Sequence, residues 1–374
     1  MLQPRRLAGL GLGFALALAV PAAHSSEAFT VREVAVDRTA GTAAEARSLA
    51  LVAAQRAAFD RLVARLALSE AVAGLPSPSD ADITELVRDY EVGAEKTSPV
   101  RYIATITYRF HPEPVREMLR QHDVSFAETV SKPALVLPVL EREGRLQLWE
   151  EGNPWRQSWA IHGARDGLVP FVIPLGDLAD IRDISPEQAE AGDPERLVPL
   201  LQRYGAGYAL VAVARERPGG AGAPASLEVT VGRVGPAVTP ATVAAGTHVV
   251  SGGDVADSFG RVVVSVAAEI EESWKRDNAL RFDEMGSLSV VARPGGLAEW
   301  MEMVRRLERA PVIRKSEVVS LSRAEAHLVL HYIGDESNLA LALAQDDLVL
   351  AREGDGWTLR LRDGSQPAAV EEAE

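Results

Sequence analysis

Ala134-Leu135-Val136-Leu137-Pro138-Val139-Leu140 runs seven residues without a polar side chain. A half-solvated strand alternates apolar and polar residues, whereas a strand buried on both faces reads as an unbroken apolar run. Such a strand needs a layer of structure on each side, so the run predicts an α/β arrangement at the centre of the chain. The segments after it supply the layers. Asn153-Pro154 is a helix start, a capping residue followed by Pro in the first turn. Leu168 to Leu175 is expected as a second buried strand and Tyr208 to Ala214 as a third. Between them Asp193 to Tyr204 reads as a helix closed by Gly205. Pro218 to Pro224 is a hairpin loop. Leu227 to Val234 and Ala241 to Val250 read as two more exposed strands. Asp254 to Arg276 closes the unit as a helix with Phe259, Val262, Val263, Val266 and Ile270 on one side. A mixed-sheet α/β module is thus expected over residues 131–283, with its boundary at Lys132-Pro133.

Upstream, residues 26–130 read as a separate β-α-α-β-β-α module. Phe29 to Asp37 is a strand, and a long Ala-rich helix follows over Ala43 to Leu68. Phe59, Leu62, Val63 and Leu66 form its apolar stripe, with Thr42 as N-cap and Glu45 as the capping-box partner. Asp80 opens a short helix through Val87. Tyr90 to Phe110 holds two strands, the second showing period two through Tyr102, Ala104, Ile106, Tyr108 and Phe110. Pro112 to His122 is a closing helix. Downstream, residues 284–363 give the order β-α-β-β-α-β, a ferredoxin-like split motif. Its elements are Leu288 to Ala292, Gly295 to Glu308, Val312 to Leu321, Ala326 to Tyr332, Asn338 to Gln345 and Leu348 to Ala351, with Trp357 to Leu361 finishing the sheet. Residues 364–374 are polar and acidic and are expected to be disordered. The fold class is therefore α/β and α+β, in three small tandem modules.

The first 25 residues read as a secretion signal. Arg5-Arg6 is basic, Leu7 to Val20 is apolar and uncharged, and small residues offer cleavage between Ala22 and Ser25. The apolar run is shorter than the ~20 residues a spanning helix needs, so no transmembrane segment is expected after signal removal. The location implied is periplasmic. The chain of 374 residues carries a formal charge of −14, which argues against a nucleic-acid partner. It has no cysteine, which excludes disulfides, thiolate nucleophiles, thiolate metal sites and an N-terminal lipid anchor.

Two groups of residues stand out. Trp149, Trp155 and Trp159, with Arg156 between them, fall within one short stretch and are the candidate partner- or ligand-contact residues. Trp155 and Trp159 share a helix face, either as an aromatic platform for a partner or as large anchors packed inward. Asp177, Asp180 and Asp183 repeat every third residue after the second expected strand, where α/β sheets place ligands. They form a possible carboxylate cluster, though they lack the glycine and bidentate Glu of a calcium loop, and helix capping explains them as well. His327 and His331 point the same way on a strand without a third ligand, which reads as a surface row. No nucleophile elbow, Walker A or zinc-protease motif is present, and no metal or cofactor is expected.

Several stretches together resemble one family. These are Thr39-Ala40-Gly41-Thr42-Ala43-Ala44-Glu45-Ala46-Arg47 with Ala54-Gln55-Arg56-Ala57-Ala58, Tyr102 through Phe110, Leu137-Pro138-Val139, the tryptophan stretch, and Arg203-Tyr204-Gly205-Ala206. They look like the bacterial family known as domain of unknown function 2066. That resemblance implies an architecture and an envelope setting, with no reaction attached. The middle region, with Tyr204-Gly205-Ala206-Gly207-Tyr208-Ala209-Leu210-Val211, is also distantly similar to the N-terminal domain of the translocation protein TolB and to curli-secretion lipoproteins. Those relatives bind other proteins. This chain departs from them in having neither propeller repeats nor a lipidation cysteine. The expectation is an exported, non-catalytic accessory or scaffold protein that binds other envelope proteins. The alternative is a glycan- or cell-wall-binding protein or hydrolase using carboxylates near the tryptophans.

Overall fold

The computed structural model describes residues 25–163, 166–219, 225–235, 238–250, 255–279, 285–322, 324–354 and 356–362. The expected signal peptide up to residue 24, the tail 364–374 and most of the hairpin loop 218–224 lie outside the described residues. Three sheets, each with its own helices, follow one another along the chain.

The first unit comprises α1 (Ser25–Ala28), β1 (Thr30–Thr39), α2 (Ala43–Leu66), α3 (Ser69–Val72), α4 (Asp80–Leu86), β2 (Val87–Thr97), β3 (Arg101–Phe110) and α5 (Pro112–Gln121). Its antiparallel sheet has the order β1-β3-β2. Alternation along β3 puts Tyr102, Ala104, Ile106, Tyr108 and Phe110 inward. Across that face lies α2, whose Ala46, Ala50, Ala54 and Ala58 let it approach closely. The Thr42 hydroxyl accepts from the Glu45 N–H at 3.2 Å, as the capping sequence predicts. The Glu45 carboxylate reaches back one residue further than expected, to the Gly41 N–H at 3.1 Å.

In the central unit come β4 (Ala134–Arg142), β5 (Arg145–Gln147), α6 (Pro154–His162), β6 (Phe171–Val172), α7 (Leu178–Asp183), α8 (Pro186–Glu190), α9 (Pro194–Tyr204), β7 (Tyr208–Arg217), β8 (Ser226–Val234), β9 (Ala241–Val249) and α10 (Val255–Asn278). The sheet order is β5-β4-β7-β8-β9. Parallel pairing of β4 with β7 makes a centre buried on both faces, as the unbroken apolar run requires. Helices α6 and α10 cover one face through Trp155, Trp159 and Phe259; α7, α8 and α9 cover the other through Ile184, Ala189, Leu197 and Leu200. The expected strand Leu168 to Leu175 shrinks to Phe171–Val172, paired with Ala134 and Leu135. Pro170 and Pro174 flank that pair and have no N–H to extend the ladder. Leu168 and Val169 instead donate their N–H groups to the Glu271 carboxylate, each at 3.0 Å.

The last unit holds β10 (Met285–Ala292), α11 (Leu297–Arg309), β11 (Ile313–Leu321), β12 (Ala326–Ile333), α12 (Glu336–Gln345), β13 (Leu348–Glu353) and β14 (Gly356–Leu361). Its sheet order is β11-β12-β10-β14-β13. The first three places are those of the ferredoxin-like split motif. The end of the sheet departs from it. The final hairpin inserts β14 parallel to β10, with Val290 opposite Trp357, and pushes β13 to the edge.

Charged groups buried at the seams join the units. The Arg65 guanidinium donates to the Asp166, Ala28 and Thr30 carbonyls at 2.8, 2.9 and 2.6 Å and pairs with the Asp166 carboxylate. The Lys275 ammonium donates to Ala64 O and Ala67 O at 2.9 and 2.7 Å, satisfying the last carbonyls of α2. Nearer in sequence, Arg116 on α5 ties the following connector to the first unit by donating to both oxygens of Glu128, at 2.7 and 3.1 Å. Burial opposes the charge on Arg116, but the carboxylates of Glu128 and Glu113 outweigh it and hold its pKa above the ordinary guanidinium value. The connector around the expected boundary is itself interior. Phe126, Ala127, Glu128, Thr129 and Ser131 are all buried, unlike the exposed linkers that usually separate domains.

Candidate functional site: a braced loop with exposed leucines

The tryptophan stretch and the aspartate series meet at one place, the loop 174–183. Trp155 and Trp159 do not form a platform there. Both are fully buried. Their rings meet edge to face at 5.8 Å, Trp155 lies 6.1 Å from Phe259, and Trp159 lies 5.8 Å from Phe171. The Trp155 indole donates to Ala212 O at 2.8 Å, which fixes α6 across the centre of the sheet. At helical spacing these rings pack inward because each buries a large apolar area. Trp149 is half-buried, and its indole donates to Ile184 O at 2.9 Å. It is the one member of the three at the surface.

The aspartates serve the loop's backbone. Asp177 caps α7 by accepting from the Ala179 and Asp180 N–H groups, both at 2.9 Å. Asp180 is fully buried. One of its oxygens accepts from Arg203 at 2.6 Å; the other accepts from the Gly176 N–H at 2.9 Å and from the Tyr204 hydroxyl at 2.7 Å. That hydroxyl in turn accepts from the Leu175 N–H at 3.0 Å. Asp183 takes the other arm of Arg203 and accepts from Arg182 at 2.9 Å. Arg182 and Arg203 hold the Asp183 carboxyl below its ordinary value, and burial with Asp180 raises the Tyr204 phenol. Asp180 and Asp183 are neutralised by guanidinium groups and Asp177 is taken up by the helix cap, and no metal-ligating group of three occurs among the described residues. The surface row on β12 holds as well, with His327 and His331 facing Glu325 and Glu317 at 3.2 and 3.9 Å.

Arg156, expected as a contact residue, also points at the loop. Its guanidinium donates to Leu175 O and, at 3.4 Å, to Pro174 O. Gly176 makes the turn with φ +74°, and a Cβ there would stand 2.7 Å from Arg156 and 3.1 Å from Trp149. Only glycine combines that backbone angle with that close approach. The loop is therefore held from every side, with Trp149, Arg156, Asp177, Asp180 and Asp183 as its brace.

What the brace holds outward is apolar. Leu175 is 76% exposed and Leu178 86%, with Ile181 at 47% one turn on. Sequence patterning does not single out these residues, nor Gly176, Arg203 and Tyr204, as parts of a site. Leu178 and Ile181 at a three-residue spacing are the available signal, obscured because the apolar run ending at Leu175 reads as a buried strand. No protein-family model matches the chain, and no curated protein matches it either.

Proposed function

We propose that this chain is an exported, periplasmic accessory protein of the Gram-negative envelope that works by binding another envelope protein, with the loop 174–183 as its contact. One observation carries the reading: Leu175 and Leu178 stand almost fully in solvent while the backbone beneath them is tied by a buried carboxylate, two arginines and a tyrosine. Exposed leucines are a cost for a protein in isolation, and adjacent apolar exposure marks interaction sites. A backbone fixed in advance lowers the ordering cost of association. The partner suited to it offers an apolar recess for two leucine side chains. The signal-like N-terminus and the resemblance to envelope families support the same setting. No helix among the described residues is long and apolar enough to cross a membrane, which fits an exported protein that works beside the membrane. The glycan-binding alternative loses support because two of its three tryptophans, Trp155 and Trp159, are interior and two of its three carboxylates, Asp180 and Asp183, are paired with Arg203.

The test is a quantitative pull-down from periplasmic extract with wild type and the double variant Leu175→Asp, Leu178→Asp. The expected result is loss of a specific co-purifying protein with an unchanged thermal midpoint. Retention of every co-purifying protein by the folded variant would remove the loop from the reading.

A further inference from the structure

A second site lies at the seam between the central and last units, away from the braced loop. A cavity of about 500 Å³ opens there, within the range of small-molecule pockets. Its charged lining residues are Lys132, Arg233, Arg362 and Asp277, three cations against one anion. That balance runs against a chain whose formal charge is −14. The remaining wall combines apolar surface, from Val238, Leu341 and the ring of Trp274, with the polar side chains of Tyr208, Thr239 and Gln345. The Trp274 indole N–H is already donated to Thr129 O at 2.8 Å, so its ring acts as an apolar surface.

The three cations are not equally engaged. The Lys132 ammonium pairs with Asp347, and Arg362 lies 3.9 Å from that same carboxylate. Arg233 has its own carboxylate, Asp277, at 3.6 Å, longer than a hydrogen bond. Its Nε, like that of Arg362, is buried without a hydrogen-bond partner. A guanidinium carries five donors in a planar fork suited to a carboxylate. Here that fork borders a cavity and is barely used. Asp277, half-exposed beside it, disfavours a dianion more than a monoanion, because repulsion scales with the product of the charges.

We infer that this cavity binds a small monocarboxylate with a short apolar body, its carboxylate on Arg233 and its body on Val238, Leu341 and Trp274. The charge fixes the orientation, and the apolar wall selects against acids without a body.

Isothermal titration of the full chain with hexanoate tests this, with acetate, hexanol and inorganic phosphate as the comparison arms. Hexanoate is expected to bind more tightly than all three. Arg233→Gln is expected to weaken hexanoate by about tenfold or more, since it removes a charge-assisted pair. Leu341→Asp places a second carboxylate in the apolar wall and is expected to abolish binding, which keeps the test decisive should Arg233→Gln fail to fold. Silence with hexanoate, equal affinity in the folded Arg233→Gln variant, or phosphate binding more tightly than hexanoate would each overturn the assignment.

Discussion

Buried charge serves opposite ends in two regions of this molecule. At the seams, Arg65 and Lys275 turn inward and join units that are distant in sequence, while Arg116 with Glu128, and Glu271 with the Leu168 and Val169 amides, tie buried segments closer to home. Beside the loop 174–183, Asp180 and Arg203 tie a short segment to its own neighbourhood and leave its apolar side chains outside. The same pairing chemistry builds an interior in one place and a surface in the other. The difference lies in what the ion pair is bonded to besides itself: carbonyls and amides of another unit at the seams, amides of its own loop at the site.

The buried pairs of the interior should be the more costly to disturb. Arg116→Ala strands a fully buried Glu128 and is expected to cost about 3–5 kcal/mol by chemical denaturation. Arg116→Met with Glu128→Leu removes both charges and should cost much less. An equal cost for the single and double variants would show that the pair matters only for its packing. Asp180→Ala should cost about 1–3 kcal/mol by leaving one arm of Arg203, the Tyr204 hydroxyl and the Gly176 N–H without their acceptor. Unlike the Arg116 variant, it should speed hydrogen exchange chiefly within residues 175–183. Gly176→Ala comes next, at about 1–2 kcal/mol from backbone strain and the clash with Arg156.

Acid should separate the two regions by sign. Burial raises the Glu271 carboxyl, against its backbone donors and Lys275. A raised carboxyl favours folding below its unfolded value, and that advantage is lost as pH rises through the folded one. Asp183 is lowered by Arg182 and Arg203, so its contribution is present above the ordinary carboxylate value and lost as pH falls. Denaturation of Glu271→Gln and Asp183→Asn across the acid range should therefore shift the pH profile in opposite directions relative to wild type. Parallel shifts would remove the contrast. The smallest stability effect is expected for Leu178→Ser, within about 0.5 kcal/mol, because the side chain touches little in the free protein.

Local features of the fold were legible in the sequence because their causes are local. The apolar run from Ala134, the Thr42 cap, the Asn153-Pro154 start and the Gly205 stop all sit where residue chemistry places them. The site was half legible. Trp149, Arg156 and the three aspartates do converge, yet as the loop's support. Their partners Arg203 and Tyr204 lie more than twenty residues downstream of Asp180, beyond what periodicity can reach. Arg65 and Glu271 had a faint signal, since each interrupts the apolar stripe of its helix, three residues after Leu62 and four after Ala267. The swap of β13 and β14 had none, because the choice between a terminal strand and an inserted one depends on tertiary packing.

The Lys275 bond to the end of α2 has a consequence for synthesis. It spans 208 residues to Ala67 and 211 to Ala64. A chain emerging from its N-terminus carries the Ala64 and Ala67 carbonyls without this donor until most of the polypeptide has followed, with Ala127 N–H, on Leu66 O, closing that helix end from nearby. That one closure of the first unit therefore forms late, and any helper that attends this chain meets those carbonyls well before Lys275 arrives.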